Sequence, residues 1–232
     1  ERQPAAVMLS FGDEKPFAGK IKAAGATLIT QVQSLEQAKR AAGAGADIVI
    51  AQGGEAGGHG ANRGTFSLVA EEVDALPGIS VVAAGGIADG RGLAAALMLG
   101  ASGVLLGTRF VATRESLAPE AAKQAISSES GDVTVKGSTF DKARGFVWPA
   151  PYALRTFQNS FAEQWEGKEL SKAAIAEFEE AAAEANMEIA PVVAGEAAGI
   201  IRDVPSATDL VPRIVAEAEK KLRGAALFCS TP

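Results

Sequence analysis

Residues 46–60 read Ala46-Asp47-Ile48-Val49-Ile50-Ala51-Gln52-Gly53-Gly54-Glu55-Ala56-Gly57-Gly58-His59-Gly60. A short, almost continuously apolar run gives way to a glycine-rich loop around the only histidine in the chain. Such a run is what a strand covered on both faces looks like. Glycine lets backbone approach a ligand closely, so the loop suits a large flat or phosphorylated molecule beside one imidazole.

The same strand-then-loop unit recurs outward from this stretch. Upstream, residues 5–12 and 26–32 read as strands, and residues 15–24 and 35–44 as helices. Ser34 is the expected N-cap of the second helix, with Gln37 at the capping-box position. Downstream, residues 67–76 read as a helix, 79–84 as a strand, 91–99 as an Ala/Leu-rich helix and 104–106 as a strand. Repeated βα units predict a parallel sheet, either doubly wound or a (β/α)8 barrel. Glycine and polar residues follow three successive strands at their carboxyl ends, where barrel enzymes place their sites. The Gly-x-Gly-x-x-Gly fingerprint of a doubly wound dinucleotide fold is absent. The reading is therefore α/β, a (β/α)8 TIM-barrel type.

The second half changes character. Residues 116–127 read as a helix, and 128–145 as a polar loop with a short strand at 133–135. Residues 146–152 form an aromatic, proline-bearing link. Helices are expected at 154–166, 173–185 and 207–223, and residues 192–201 as a loop bordering the site. The expected domains are 1–127 as barrel, 128–206 as a smaller and mostly helical substrate-side region, and 207–232 as a helix returning to the barrel with a frayed tail at Cys229–Pro232. The chain opens without Met and enters a strand almost at once, so it is expected to begin in mid-fold.

Composition narrows the function classes. Of 232 residues, 47% are hydrophobic and 22% charged, with a net charge of −6 and no Lys/Arg stripe, which argues against nucleic acid. No apolar run reaches the roughly 18–20 residues needed to span a bilayer. A secretory leader is not visible either, and the single cysteine forms no internal disulfide, so the expected location is the cytoplasm. One histidine, one cysteine and no clustered carboxylates fail the ligand requirement of a metal site.

Three loops carry the chemistry. His59 is the candidate general base, since neutral imidazole takes a proton near pH 7. Glu55, four residues earlier, either orients that imidazole or sits in solvent. Gly85-Gly86 and Gly107-Thr108 each read equally as tight βα turns when taken singly. Occurring at consecutive strand ends, they point to a phosphate held by backbone N–H groups, with the Thr108 hydroxyl added. Arg109 reads equally as an anion partner or a salt bridge. No Gly-x-Ser-x-Gly elbow supports serine catalysis.

The blocks Gly54-Glu55-Ala56-Gly57-Gly58-His59, Val82 to Gly92 and Leu106 to Glu115 together resemble the nitronate monooxygenase family, formerly the 2-nitropropane dioxygenases. Their order and spacing match, over about residues 4–223. The resemblance implies a barrel holding FMN and His59 as catalytic base. It also implies that Gly85, Gly86, Gly107 and Thr108 hold the flavin phosphate. Ala56, Gly57, Gly58 and Ala84 would line the flavin, with Gln31 and Gln52 facing it from strand ends. It further implies oxidation of alkyl nitronates, or of nitroalkanes after deprotonation, with O2 to a carbonyl compound and nitrite. Members of the family begin with about three more βα units, including a Pro-rich first strand, which this chain is expected to lack. An FMN-dependent enoyl-ACP reductase using NAD(P)H and an inactive flavin-barrel fragment are the alternatives. A homo-oligomer is compatible with the sequence.

Overall fold

A computed structural model describes residues 3–225, so the tail Cys229–Pro232 lies outside the described residues. In chain order the strands are β1 (Ala6–Ser10), β2 (Thr27–Val32), β3 (Ile48–Gln52), β4 (Gly58–Gly60), β5 (Ser80–Ala84), β6 (Gly103–Leu105), β7 (Thr134–Gly137) and β8 (Ala153–Phe157). The helices are α1 (Lys15–Ala23), α2 (Leu35–Gly43), α3 (Thr65–Ala75), α4 (Gly90–Met98), α5 (Thr108–Val111), α6 (Glu120–Ser128), α7 (Thr139–Ala143), α8 (Ser160–Trp165), α9 (Lys172–Ala183) and α10 (Ala207–Ala225). Two compact units result. One takes the described residues up to 54, 62–105 and those from 214 on; the other takes 55–61 and 106–213.

The first unit is a parallel sheet in the order β1-β2-β3-β5-β6. Every βα step adds its strand on the same side, and the order never reverses. A doubly wound sheet requires such a reversal at its switch point, so the winding is that of the barrel type. Among the described residues β1 pairs only with β2, and β6 only with β5.

Side chains alternate across a strand, and here the two faces have different fates. Leu28, Val32, Val49, Ala51, Val81 and Ala83 join Ala38, Ala41, Leu68 and Val69 in one buried cluster, so these strand positions face the helices. The intervening positions Ser10, Gln31, Gln52 and Ala84 share the opposite face at the carboxyl ends of their strands. Ser10 lies in register with Gln31, and Gln52 with Ala84.

Local chemistry explains the helix boundaries. The Ser34 hydroxyl accepts from the Gln37 N–H at 3.3 Å, and the Gln37 side chain accepts from the Gln33 N–H at 2.8 Å, so the expected capping pair starts α2. Asp89 caps α4 by accepting from the Arg91 and Gly92 N–H groups. Gly90 opens α4 where a β-carbon would come within 2.5 Å of the Ala218 backbone nitrogen on α10. The Glu217 carboxylate accepts from the Gly90 N–H at 3.0 Å.

The second unit holds an antiparallel sheet in the order β4-β8-β7. Residues 154–166, expected as one helix, are strand β8 followed by α8. Leu154, Thr156 and Phe157 are buried, and Asn159 starts a new helix by accepting from the Ala162 N–H at 2.9 Å. The helix expected from residue 116 begins at Glu120, because proline disfavours helical backbone in the residue before it and Pro119 is the N-cap. The polar 128–145 stretch contains α7 as well as β7. Phe140 of α7 packs with Phe161 and Phe178 at ring separations of 6.0 and 6.1 Å, and those two rings lie 5.6 Å apart, the centre of this unit's core. Among the described residues no helix is long and apolar enough to cross a membrane.

One buried group gives the first unit a pH signature. Glu72 of α3 is fully buried, and neither carboxyl oxygen has a hydrogen-bond partner among the described residues. Burial pushes its pKa up from 4.5 to about 8, against the pull of Arg63 and with some help from Glu71. Between those values the folded chain keeps a proton that the unfolded chain releases, so stability falls as pH rises through the window. Glu72→Gln is therefore expected to melt higher than wild type near about pH 8, with the gap narrowing towards about pH 5. Parallel melting curves across that range would contradict the assignment.

Candidate active site

His59 is the middle residue of β4, paired opposite Leu154 of β8. Gly58 and Gly60 offer no strand propensity, so β4 exists because β8 pairs with it. The pairing fixes the backbone of His59, and Asp141 and Trp148 hold its ring. Nε2 lies 3.0 and 2.9 Å from the two carboxylate oxygens of Asp141 on α7. Trp148 stacks on the imidazole with ring centres 3.8 Å apart and planes 16° apart. Tyr152 meets Trp148 edge-on at 6.3 Å. The Asp141 side chain is 3% exposed and that of His59 17%, so a buried carboxylate holds a partly accessible imidazole.

Asp141 was not legible as a partner. It lies 82 residues beyond His59, in a stretch that reads as polar loop. Phe140, 4% exposed, anchors α7 in the core and thereby sets where the next side chain goes. Glu55 contributes through its backbone, whose carbonyl accepts from the Glu196 N–H at 2.9 Å. Beyond His59, the Lys136 ammonium donates to the Gly60 carbonyl at 3.4 Å and to the Ala61 carbonyl. Burial holds the Lys136 pKa below its ordinary value; Arg155 pushes the same way, while Glu196 and Glu55 oppose it.

Gly57 has a packing reason to be glycine. A β-carbon there would stand 2.6 Å from the Ala194 carbonyl carbon and 2.7 Å from the Gly195 nitrogen. One at Gly195 would stand 2.5 Å from the Glu55 oxygen, so the two backbones lock face to face. Gly58 has φ +86°, a conformation that disfavours any other residue. The 192–201 segment thus borders the glycine loop. The Gly195 N–H also donates to the Thr108 hydroxyl at 2.9 Å, a bond that leaves the hydroxyl's own hydrogen as a donor. The second unit therefore gathers Ala56, Gly57, Gly58, His59 and Thr108, with Gly107 as the N-cap of α5.

The first unit gathers the rest. The Gln52 side-chain oxygen accepts from Gln31 at 2.9 Å and from Gln33 at 2.7 Å, and Gln31 also donates to Ser10 at 3.1 Å. Gln33 went unnoticed in the sequence, where it is one more polar residue after a strand. The Ala84 carbonyl accepts from the Gly53 N–H at 2.9 Å, and the Gly85 carbonyl from the Thr65 hydroxyl at 3.1 Å. Gly85 and Gly86 have φ +96° and +71° in succession, which turns their backbone in a way only glycine tolerates easily. The start of α4 is not an anion site: its first N–H groups already serve Glu217 and Asp89.

Arg109 resolves as a structural clamp. It is 3% exposed and donates to the Asp203 carboxylate and to the carbonyls of Asp203 and Ala112. Burial lowers its pKa, with Asp203 working against that shift.

The family model described as nitronate monooxygenase matches residues 1–217. A nitronate monooxygenase of Neurospora crassa is 34% identical over 230 residues, covering 94% of this chain and 61% of that protein. The chain thus spans about three fifths of the length of that relative. A (3aS,4S,5R,7aS)-5-hydroxy-7a-methyl-1-oxo-octahydro-1H-indene-4-carboxyl-CoA dehydrogenase of Mycobacterium tuberculosis is 33% identical, covering 93% of this chain and 72% of that protein. Among solved structures, FabK from Thermotoga maritima superposes with a TM-score of 0.83 at 30% identity, covering 96% of this chain and 70% of that one.

Gly57→Ala puts a methyl group into the Ala194–Gly195 backbone and is expected to destabilise the chain by about 1–3 kcal/mol, the usual cost of overpacking. Chemical denaturation read by tryptophan fluorescence measures it. Wild-type stability in the variant would show that the close approach is not required.

Proposed function

This chain belongs to the nitronate monooxygenase family, and we propose that it serves FMN-dependent oxidation of alkyl nitronates, with His59 as general base towards neutral nitroalkanes. The observation that carries this reading is the contact between the His59 Nε2 and both oxygens of buried Asp141. An ionised carboxylate there keeps the hydrogen on Nε2, which places the ring's basic lone pair on Nδ1. An α-proton taken from a nitroalkane would pass to Nδ1, leaving the substrate as its nitronate anion. The imidazolium so formed would keep its Nε2–H hydrogen bond to the Asp141 carboxylate, with Trp148 stacked on the ring face. Trp148 also covers one face of the ring and keeps water from it.

The residues present fit a flavin mononucleotide. Two consecutive glycines with positive φ suit backbone N–H groups turned towards a phosphate. Gly85, Gly86, Gly107 and Thr108 would hold that phosphate. Ala56, Gly57, Gly58 and Ala84 would line the ring system. Gln31 and Gln52 carry amides able both to donate and to accept, as the heteroatom edge of an isoalloxazine requires. Bound FMN would supply the electron-accepting ring that no side chain here provides. Substrate and O2 are the small-molecule partners of this reading. A second reading is reduction of an enoyl thioester by NAD(P)H; the relative named as a carboxyl-CoA dehydrogenase shares with it the thioester class of substrate.

An anaerobic absorption spectrum of the FMN-loaded, desalted chain tests the first reading against the second. Bleaching of the oxidised-flavin bands on adding an alkyl nitronate is the expected outcome; bleaching by NAD(P)H alone would favour the thioester reading. His59→Asn is expected to slow turnover of neutral nitroalkanes by about 10²–10⁴-fold, the usual worth of a general base. It should slow preformed nitronates much less, because these need no deprotonation. Equal losses on both would remove His59 from the role of base.

A further inference from the structure

We infer that Gln33 is a positioning residue which sets the orientation of the Gln52 amide for the bound flavin, an assignment that rests on the flavin reading above. Gln31 lies near the carboxyl end of β2 and Gln33 is the first residue beyond it. Both donate to a single acceptor, the Gln52 oxygen, at 2.9 and 2.7 Å. A flip of Gln52 would set its own NH2 against two others. Flipping Gln52 alone is therefore excluded: the three amides orient as one unit, here with the Gln52 oxygen turned into the cluster and its N–H edge turned out of it.

Gln33 holds this arrangement at a cost to the fold. It is 2% exposed, and its own side-chain oxygen has no hydrogen-bond partner among the described residues. A buried acceptor without a donor is destabilising. Turning the Gln33 amide over would not help, because its oxygen would then face the Gln52 oxygen. An apolar side chain of the same length would remove the orphaned acceptor altogether. A buried amide that the fold would be better without, clamped to a residue proposed to face the cofactor, is the kind of local conflict that marks functional sites.

Gln33→Met separates a positioning role from a structural one. The melting temperature of the FMN-free chain is expected to hold or rise, while the FMN dissociation constant, followed by quenching of flavin fluorescence, rises about tenfold, the worth of one lost buried hydrogen bond. Gln33→Glu keeps shape and acceptor but loses both amide hydrogens, and is expected to weaken FMN binding as well. Wild-type FMN affinity in either variant, or a fall in the melting temperature of Gln33→Met, overturns the assignment alone. A wild-type chain that takes up no FMN overturns the flavin reading and this assignment with it.

Discussion

Everything in the first unit depends on the two-residue alternation of its parallel strands. One set of side chains is committed to the helices: Leu28, Val32, Val49, Ala51, Val81 and Ala83 pack on Leu68, Val69, Ala38 and Ala41. Because that set cannot move without emptying the core, the other set is fixed as well. Ser10, Gln31, Gln52 and Ala84 reach the same face at neighbouring strand ends by register alone. A one-residue slip of β2 would bury Gln31 under α2 and expose Leu28, which no local compensation could offset.

The second unit works from a different constraint. Its histidine stands on a three-residue strand that has no strand-forming residues of its own. Pairing with β8, the Asp141 carboxylate and the face of Trp148 hold the ring from three separate stretches of chain. The Gly57–Gly195 approach then seats the glycine loop against the 192–201 segment. Glycine in this loop thus has a packing role as definite as any ligand-facing one.

What was legible in the sequence follows from how local the physics is. The βα winding and its strands could be read because buried parallel strands are continuously apolar and glycines mark their ends. The Ser34–Gln37 cap could be read because it spans four residues. His59 stood out because it is the only histidine in the chain and stands among glycines. Asp141 and Gln33 could not be found that way: each matters only through a partner brought close by tertiary pairing. The misassigned 154–166 segment is similar, since Ala153–Phe157 is a strand only because β4 and β7 flank it. Arg109 could be settled only once Asp203, 94 residues away, was seen beside it.

The distance in sequence between His59 and Asp141 also governs when the dyad comes into being. Closing so long a loop costs chain entropy before any contact rewards it. On the ribosome, His59 emerges well before α7 and β8, and for that interval it is an ordinary solvated imidazole without strand, carboxylate or aromatic cover. The start of α4 waits longer still, for Ala218 near the far end of α10. The surroundings of His59 are therefore a late product of synthesis, and a chain released before β8 holds a histidine with the sequence of this loop and none of its contacts.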